Sequence, residues 1–150
     1  MQKLCYPRTV KHIKKYWQII FPILVMILIW NFSAQNGEDS DSISLGFAAK
    51  LGLPNGVVRK IAHFAIYSVL GVALINFFRS IKHRKIIGFK YTIISLAIAA
   101  TYSCIDEFHQ SFIPERDGNP LDIVIDSLGA CAGIAIYIAI YSFIKSKHKK

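Results

Sequence analysis

Residues 102–126 read YSCIDEFHQSFIPERDGNPLDIVID, and the fold turns on how this stretch is read. It gathers Asp106, Glu107, Glu115, Asp117, Asp122 and Asp126, with His109 and Arg116, between two strongly apolar segments. Asp106, His109 and Gln110 stand at i, i+3 and i+4, so a helix would carry all three on one face. Asp122 and Asp126 are four apart, and their face continues through Gly129 and Gly133, residues small enough to admit a neighbouring helix. Pro114, Gly118 and Pro120 interrupt any helix between the two halves. The stretch therefore predicts a helix, a tight connection and a returning helix whose polar faces meet.

Working outward, the chain of 150 residues is 53% apolar, more than a soluble domain usually carries. Four segments, 16–34, 61–78, 86–105 and 123–144, each approach the ~20 residues needed to cross ~30 Å of hydrocarbon. Only helices or closed barrels satisfy their backbones there, and segments this long exclude a barrel. The expected class is an all-α membrane protein, a four-transmembrane-helix bundle. Phe32 stands where signal cleavage would need a small residue, so the first segment is expected to be retained.

The net charge of +9 would suggest nucleic acid in a soluble protein, but its distribution does not. Fourteen basic residues and no acid lie before the first segment (Lys3, Arg8, Lys11, Lys14, Lys15), between the second and third or at the start of the third (Arg79, Lys82, Arg84, Lys85, Lys90) and in the tail (Lys145, Lys147, Lys149, Lys150). The positive-inside rule puts these three regions in the cytoplasm. They read as topology signals and contacts with anionic membrane lipid, with no nucleic-acid partner. The expected organisation is a basic cytoplasmic N-terminus over 1–15, a membrane domain over 16–144 and a basic cytoplasmic tail over 145–150. Cys5, Cys104 and Cys131 lie in different segments without paired spacing and indicate neither disulfide nor zinc motif.

In the first outer loop Ile43, Phe47 and Leu51 recur every four residues before Gly52 and Pro54, which suits a short helix on the membrane surface. At the start of the second segment Lys60, His63, Tyr67 and Gly71 form one helical stripe of a cation, an imidazole, a phenol and a small residue. All the unusual polar groups fall at the outer ends of the helices and can converge at one depth. The inner halves lack carboxylates and imidazoles, whereas transporters carry polar sites near the midplane, so conduction is disfavoured.

Ionisable groups at membrane depth cost roughly 2.5–3.5 kcal/mol each on insertion scales, so their clustering calls for pairing or function. In a structural network, Arg116 and Lys60 neutralise two carboxylates and His63 or His109 bonds the others. In a functional site, carboxylates with His109 hold a divalent cation while Arg116 and Lys60 hold a phosphate or pyrophosphate, an arrangement a lipid-linked substrate would satisfy. Alternatively Asp106 or Glu107 works with His109 as general acid and base. No HExxH, GxSxG or CxxC pattern is present. The candidate catalytic residues are Asp106, Glu107, His109 and Asp126; the candidate substrate-binding residues are Lys60, His63, Tyr67, Gln110, Arg116 and Asp122. The metal and cofactor are unknown, with a divalent cation as the candidate.

The succession FSAQNGEDS, RKIAHFAIYSVLG, DEFHQSFIPERDG and DIVIDSLGACAG, over residues 32–133, resembles the VanZ-like family of bacterial membrane proteins. The resemblance implies a small multi-pass protein of the bacterial cell membrane that acts on or binds a cell-envelope component and bears on susceptibility to the glycopeptide teicoplanin, resistance to which is associated with a member of that family. A non-catalytic scaffold is the alternative. Carried over by position, the motif residues are Lys60, His63, Tyr67, Asp106, Glu107, Gln110, Arg116, Asp122, Asp126 and Gly129. One departure is Pro114-Glu115-Arg116, where the family commonly has Pro-Gly-Arg. Glu115 lacks glycine's easy access to φ > 0, so either the connection bends differently or Glu115 pairs with Arg116.

Overall fold

The computed structural model describes residues 8–81 and 88–147. The expected basic residues Lys3, Lys82, Arg84, Lys85, Lys149 and Lys150, together with Cys5, lie outside them. Five helices follow one another, with no strand among the described residues: α1 (Arg8–Ser33), α2 (Gly37–Leu51), α3 (Asn55–Ile81), α4 (Phe89–Gln110) and α5 (Pro120–Lys147). The class is all-α, as expected.

Each boundary has a local cause. Asn36 caps α2, its side chain accepting from the Asp39 amide at 2.8 Å, and Glu38 and Asp39 place negative charge at the positive end of the helix dipole. Gly52 ends α2 in the left-handed conformation, φ 65°. Residues 111–119 turn the chain from α4 into α5, where the Asn119 side chain accepts from the Leu121 amide at 3.1 Å and Pro120 opens the helix without needing a hydrogen-bond donor. The helix, tight connection and returning helix anticipated over 102–126 are present.

Among the described residues two helices, α3 and α5, are long and apolar enough to cross a membrane. Residues 17–33 of α1 meet that test only together with α2, from which they are bent by 104°, giving three spans if the bent pair is one. The sequence reading anticipated four. α4 falls short because Ser103, Asp106, Glu107 and Gln110 all lie on its buried side, lowering its hydropathy through groups that face protein. Large apolar side chains point outward instead, among them Ile61, Phe64, Val69, Leu128, Ile136 and Ile140. Polar groups inside and apolar groups outside is the pattern expected of a chain solvated by hydrocarbon.

α3 and α5 form the centre. An added Cβ at Gly71 would strike the Ala130 carbonyl, one at Gly129 the Phe64 carbonyl, and one at Gly133 the Ser68 carbonyl. The two backbones approach this closely only because these positions have no side chain. Ser68 Oγ sits in the seam and donates to the Gly129 carbonyl at 2.9 Å and to the Phe64 carbonyl at 2.7 Å. Around the pair, Val25 and Ile29 of α1 and Ala99 of α4 join Tyr67, Leu70, Ala73, Leu74 and Ala130 in one buried cluster. Tyr102 Oη ties α4 to α1 by donating to the Met26 carbonyl at 2.6 Å. At the other end of the bundle Tyr137 Oη bonds Asn76 Oδ1 at 2.7 Å, and the Arg79 guanidinium lies 4.6 Å from the Tyr141 ring centroid.

This packing makes opposite demands on two glycines. Gly133→Ala should destabilise the full-length protein by about 1–3 kcal/mol, because a backbone carbonyl has to move to admit the methyl group. Gly46→Ala on α2, where nothing lies within 4 Å of the new Cβ, should stabilise by about 0.5–1 kcal/mol. Thermal unfolding in detergent checks the pair; the reverse order would contradict the close α3–α5 contact.

Candidate functional site

The polar side chains gather where α3, α4 and α5 meet α1, α2 and the 111–119 connection. Asp126 is fully buried one turn inside α5. Its Oδ1 lies 3.2 Å from His63 Nδ1 of α3, and its Oδ2 accepts from Ser103 Oγ of α4 at 2.6 Å. Glu107, also buried, accepts the Asn119 amide at 2.8 Å through Oε2 and faces Gln110 Nε2 at 3.4 Å through Oε1. Asp106 is 1% exposed; its Oδ2 accepts from Gln110 Nε2 at 3.2 Å, while its buried Oδ1 has no hydrogen-bond partner. No Lys or Arg forms an ion pair with any of these three carboxylates among the described residues.

Beside them opens a cavity of about 320 Å³. His63, Tyr67, Asp106, Gln110, Arg59, Arg116, Ser33 and Ser40 provide its polar wall, and Ile29, Phe32, Ile43, Phe47, Val58 and Ile66 its apolar wall. Arg116 reaches in from the connection and donates to the Ser33 carbonyl at 3.0 Å, to the Phe32 carbonyl at 3.4 Å and to Ser40 Oγ. It forms no ion pair among the described residues. Burial first, and then neighbouring Arg59, push its guanidinium below the ordinary arginine range, against the attraction of Asp106, Glu107 and Asp41. Arg59 itself pairs with Asp41 of α2 at 3.2 Å.

Most of the sequence candidates meet here. His63, Tyr67, Asp106, Gln110 and Arg116 line the cavity; Glu107 and Asp126 stand in the carboxylate cluster around His63. Asp122 is half-buried in the first turn of α5, with Oδ1 buried and without a hydrogen-bond partner. Two candidates stand apart. Lys60 is exposed and does not line the cavity; one residue is about 100° around a helix, and Arg59 takes the inward position. His109 stacks on Trp30 of α1, ring centroids 4.0 Å apart, outside both the cavity and the cluster. An acid–base pair of His109 with Asp106 or Glu107 has no support in this geometry.

The structure adds groups the sequence reading passed over: Ser103, Ser40, Asp41 and the Asn119 amide. Ser103 had a signal, since Ser95, Ala99, Ser103, Asp106 and Gln110 recur every three or four residues as one buried stripe of small and polar side chains. The others come from loop and cap geometry that spacing does not encode.

Glu115 resolves the departure from Pro-Gly-Arg. It takes φ 60°, the left-handed conformation that glycine adopts freely, so the connection bends as a glycine would allow. Its carboxylate turns away from Arg116 and accepts the Glu38 amide at 3.2 Å, while the Pro114 carbonyl accepts the Gly37 amide at 3.2 Å. Gly37 is required there, because a Cβ would collide with the Glu115 backbone carbonyl. The left-handed conformation costs a non-glycine residue about 1–2 kcal/mol, and a hydrogen bond is worth about 0.5–1.5 kcal/mol. Glu115→Gly removes both terms and should leave thermal stability within about 1 kcal/mol of the parent. Glu115→Ala keeps the strain, loses the bond and should destabilise by about 0.5–1.5 kcal/mol. An alanine variant more stable than the glycine variant would refute this account.

A family model described as VanZ/LLP1 matches residues 18–142. No curated protein and no solved structure matches the chain.

Proposed function

The chain belongs to the VanZ/LLP1 family, and from that premise we propose that it is a multi-pass protein of the bacterial cell membrane that binds the anionic head of a lipid-linked envelope component at its outer face, and thereby bears on teicoplanin susceptibility. The observation that carries this reading is the cavity's two-sided wall. Arg116 and Arg59 stand near each other on the polar side, Arg116 without a carboxylate partner among the described residues, and isoleucines and phenylalanines form the other side. A phosphate or pyrophosphate satisfies two guanidinium groups, and a hydrocarbon chain satisfies the apolar wall. A closed scaffold network would have paired Arg116 with a carboxylate; it bonds backbone carbonyls and a hydroxyl instead.

In this reading α1, α3, α4 and α5 cross the membrane, both termini are cytoplasmic and α2 lies on the outer surface. The fourteen basic residues free of acids support the orientation. The 104° bend and the exposed Leu45, Phe47 and Leu51 support the surface helix. α4 can cross despite its carboxylates because they face the bundle.

Two measurements test it. With the native cysteines replaced, membrane-impermeant thiol labelling from outside should modify Asp39→Cys and Asp117→Cys but not Ser146→Cys; the opposite pattern would reverse the orientation. In detergent micelles a polyprenyl pyrophosphate should raise the Tm of the parent protein, the uncharged polyprenol should not, and Arg116→Met should abolish the shift and the effect on teicoplanin susceptibility together. An equal shift with the polyprenol, or full retention of it in Arg116→Met, would refute the anionic-head reading.

A further inference from the structure

We propose that His63, Glu107 and Asp126 form a binding site for one divalent first-row metal ion, Mn²⁺ or Zn²⁺, set at the wall of the cavity. One ligand atom from each residue lies within 4.8 Å of the other two. Three points so spaced lie within about 2.8 Å of a common centre, so small side-chain adjustments bring all three to the ~2.0–2.2 Å of metal–ligand bonds. The 3.2 Å between His63 Nδ1 and Asp126 Oδ1 suits a hydrogen bond, and it is equally the separation of two neighbouring ligands on one ion at such bond lengths.

Charge gives an independent reason. Asp106, Glu107 and Asp126 are 1%, 4% and 0% exposed, and no lysine or arginine among the described residues pairs with them. His63 supplies at most one positive charge, which leaves carboxylate charge buried without a counter-ion and strongly destabilising. Bound through a neutral His63 imidazole, a divalent cation offsets two of those three carboxylate charges. Asp106 adds a buried carboxylate oxygen, Oδ1, that has no partner although its residue lines the same cavity as His63.

The supporting shell is also that of a metal centre. Ser103 Oγ fixes the Asp126 carboxylate at 2.6 Å, and the Asn119 amide fixes Glu107 at 2.8 Å, so both carboxylates are held in orientation while keeping lone pairs free. The ligands come from three helices, α3, α4 and α5, of which α3 and α5 are held close together by the glycine contacts. One imidazole with two carboxylates suits Mn²⁺ or Zn²⁺ rather than an all-oxygen Ca²⁺ or Mg²⁺ cage. Three protein ligands leave coordination positions open, and one of the three, His63, lines the cavity. The inference goes beyond the anionic-head reading and does not depend on it.

The experiment uses the full-length protein in detergent, stripped with chelator and titrated with Mn²⁺, followed by electron paramagnetic resonance and by thermal unfolding, with Zn²⁺ as competitor. The parent should bind one Mn²⁺ per chain, release it to Zn²⁺ and gain Tm on loading. His63→Gln, Glu107→Gln and Asp126→Asn should each lose that binding and the metal-dependent Tm gain, and Ser103→Ala should weaken affinity about 10–100-fold. Asp117→Asn, exposed on the connection, should bind as the parent does. If a buried-carboxylate variant fails to fold, His63→Gln, at the half-buried position, decides with the parent. A stripped parent that binds neither ion at one per chain, its carboxylates neutralised by protons instead, overturns the proposal, as does undiminished binding in His63→Gln.

Discussion

The close approach of α3 and α5 is the constraint on which the rest depends. Gly71, Gly129 and Gly133 each stand where a Cβ would meet a backbone carbonyl of the opposite helix, so two carbon skeletons share a space that one side chain would fill. In hydrocarbon, where apolar side chains gain nothing by leaving solvent, such contact supplies the dispersion energy that holds helices together. The same contact fixes how His63 on α3 faces Asp126 on α5. The polar site is thus a by-product of glycine placement one and two turns deeper along the same seam.

Around that seam the molecule inverts the arrangement of a soluble protein. Carboxylates, serines and a glutamine turn inward on α4 and α5, and leucines, isoleucines and phenylalanines turn outward. A buried polar group is tolerated when its hydrogen-bonding capacity is met, and here it is met unevenly. Asp126 has two partners, Glu107 two and Asp106 one, with Asp106 Oδ1 and Asp122 Oδ1 left over. Asp106, whose Oδ1 is one of these acceptors, lines the cavity beside His63, which is why the unevenness there reads as binding capacity.

Much of this was legible in the chain because helical spacing carries directional information. The three- and four-residue intervals linking Asp106 to Gln110, His63 to Tyr67 and Asp122 to Gly129 and Gly133 gave the faces correctly. Errors arose where spacing alone leaves a residue at the edge of a face. His109 is about 60° off the direction of Asp106, enough for the Trp30 ring to draw it toward α1. Lys60 and Arg59 are neighbours with the same charge, and the choice between them depends on Asp41 of another helix. The pull of Asp41 on Arg59 and of the α2 amides on Glu115 belongs to tertiary structure, which no local pattern records. α4 illustrates the reverse problem, a helix whose composition disguises its environment because its polar residues are sequestered.

The latch between Gly37 and Glu38 at the start of α2 and residues 114–115 joins parts of the chain 77 residues apart. Arg116 spans a still longer interval to Ser33. During synthesis α1 and α2 leave the ribosome long before the connection that completes their side of the cavity exists. Until then Ser40 lacks its guanidinium partner and α2 lacks its anchor. The cavity therefore closes only after α4 and the connection that follows it have emerged. A chain stalled before α4 would carry the apolar wall of the cavity while lacking Asp106, Gln110 and Arg116 of its polar wall.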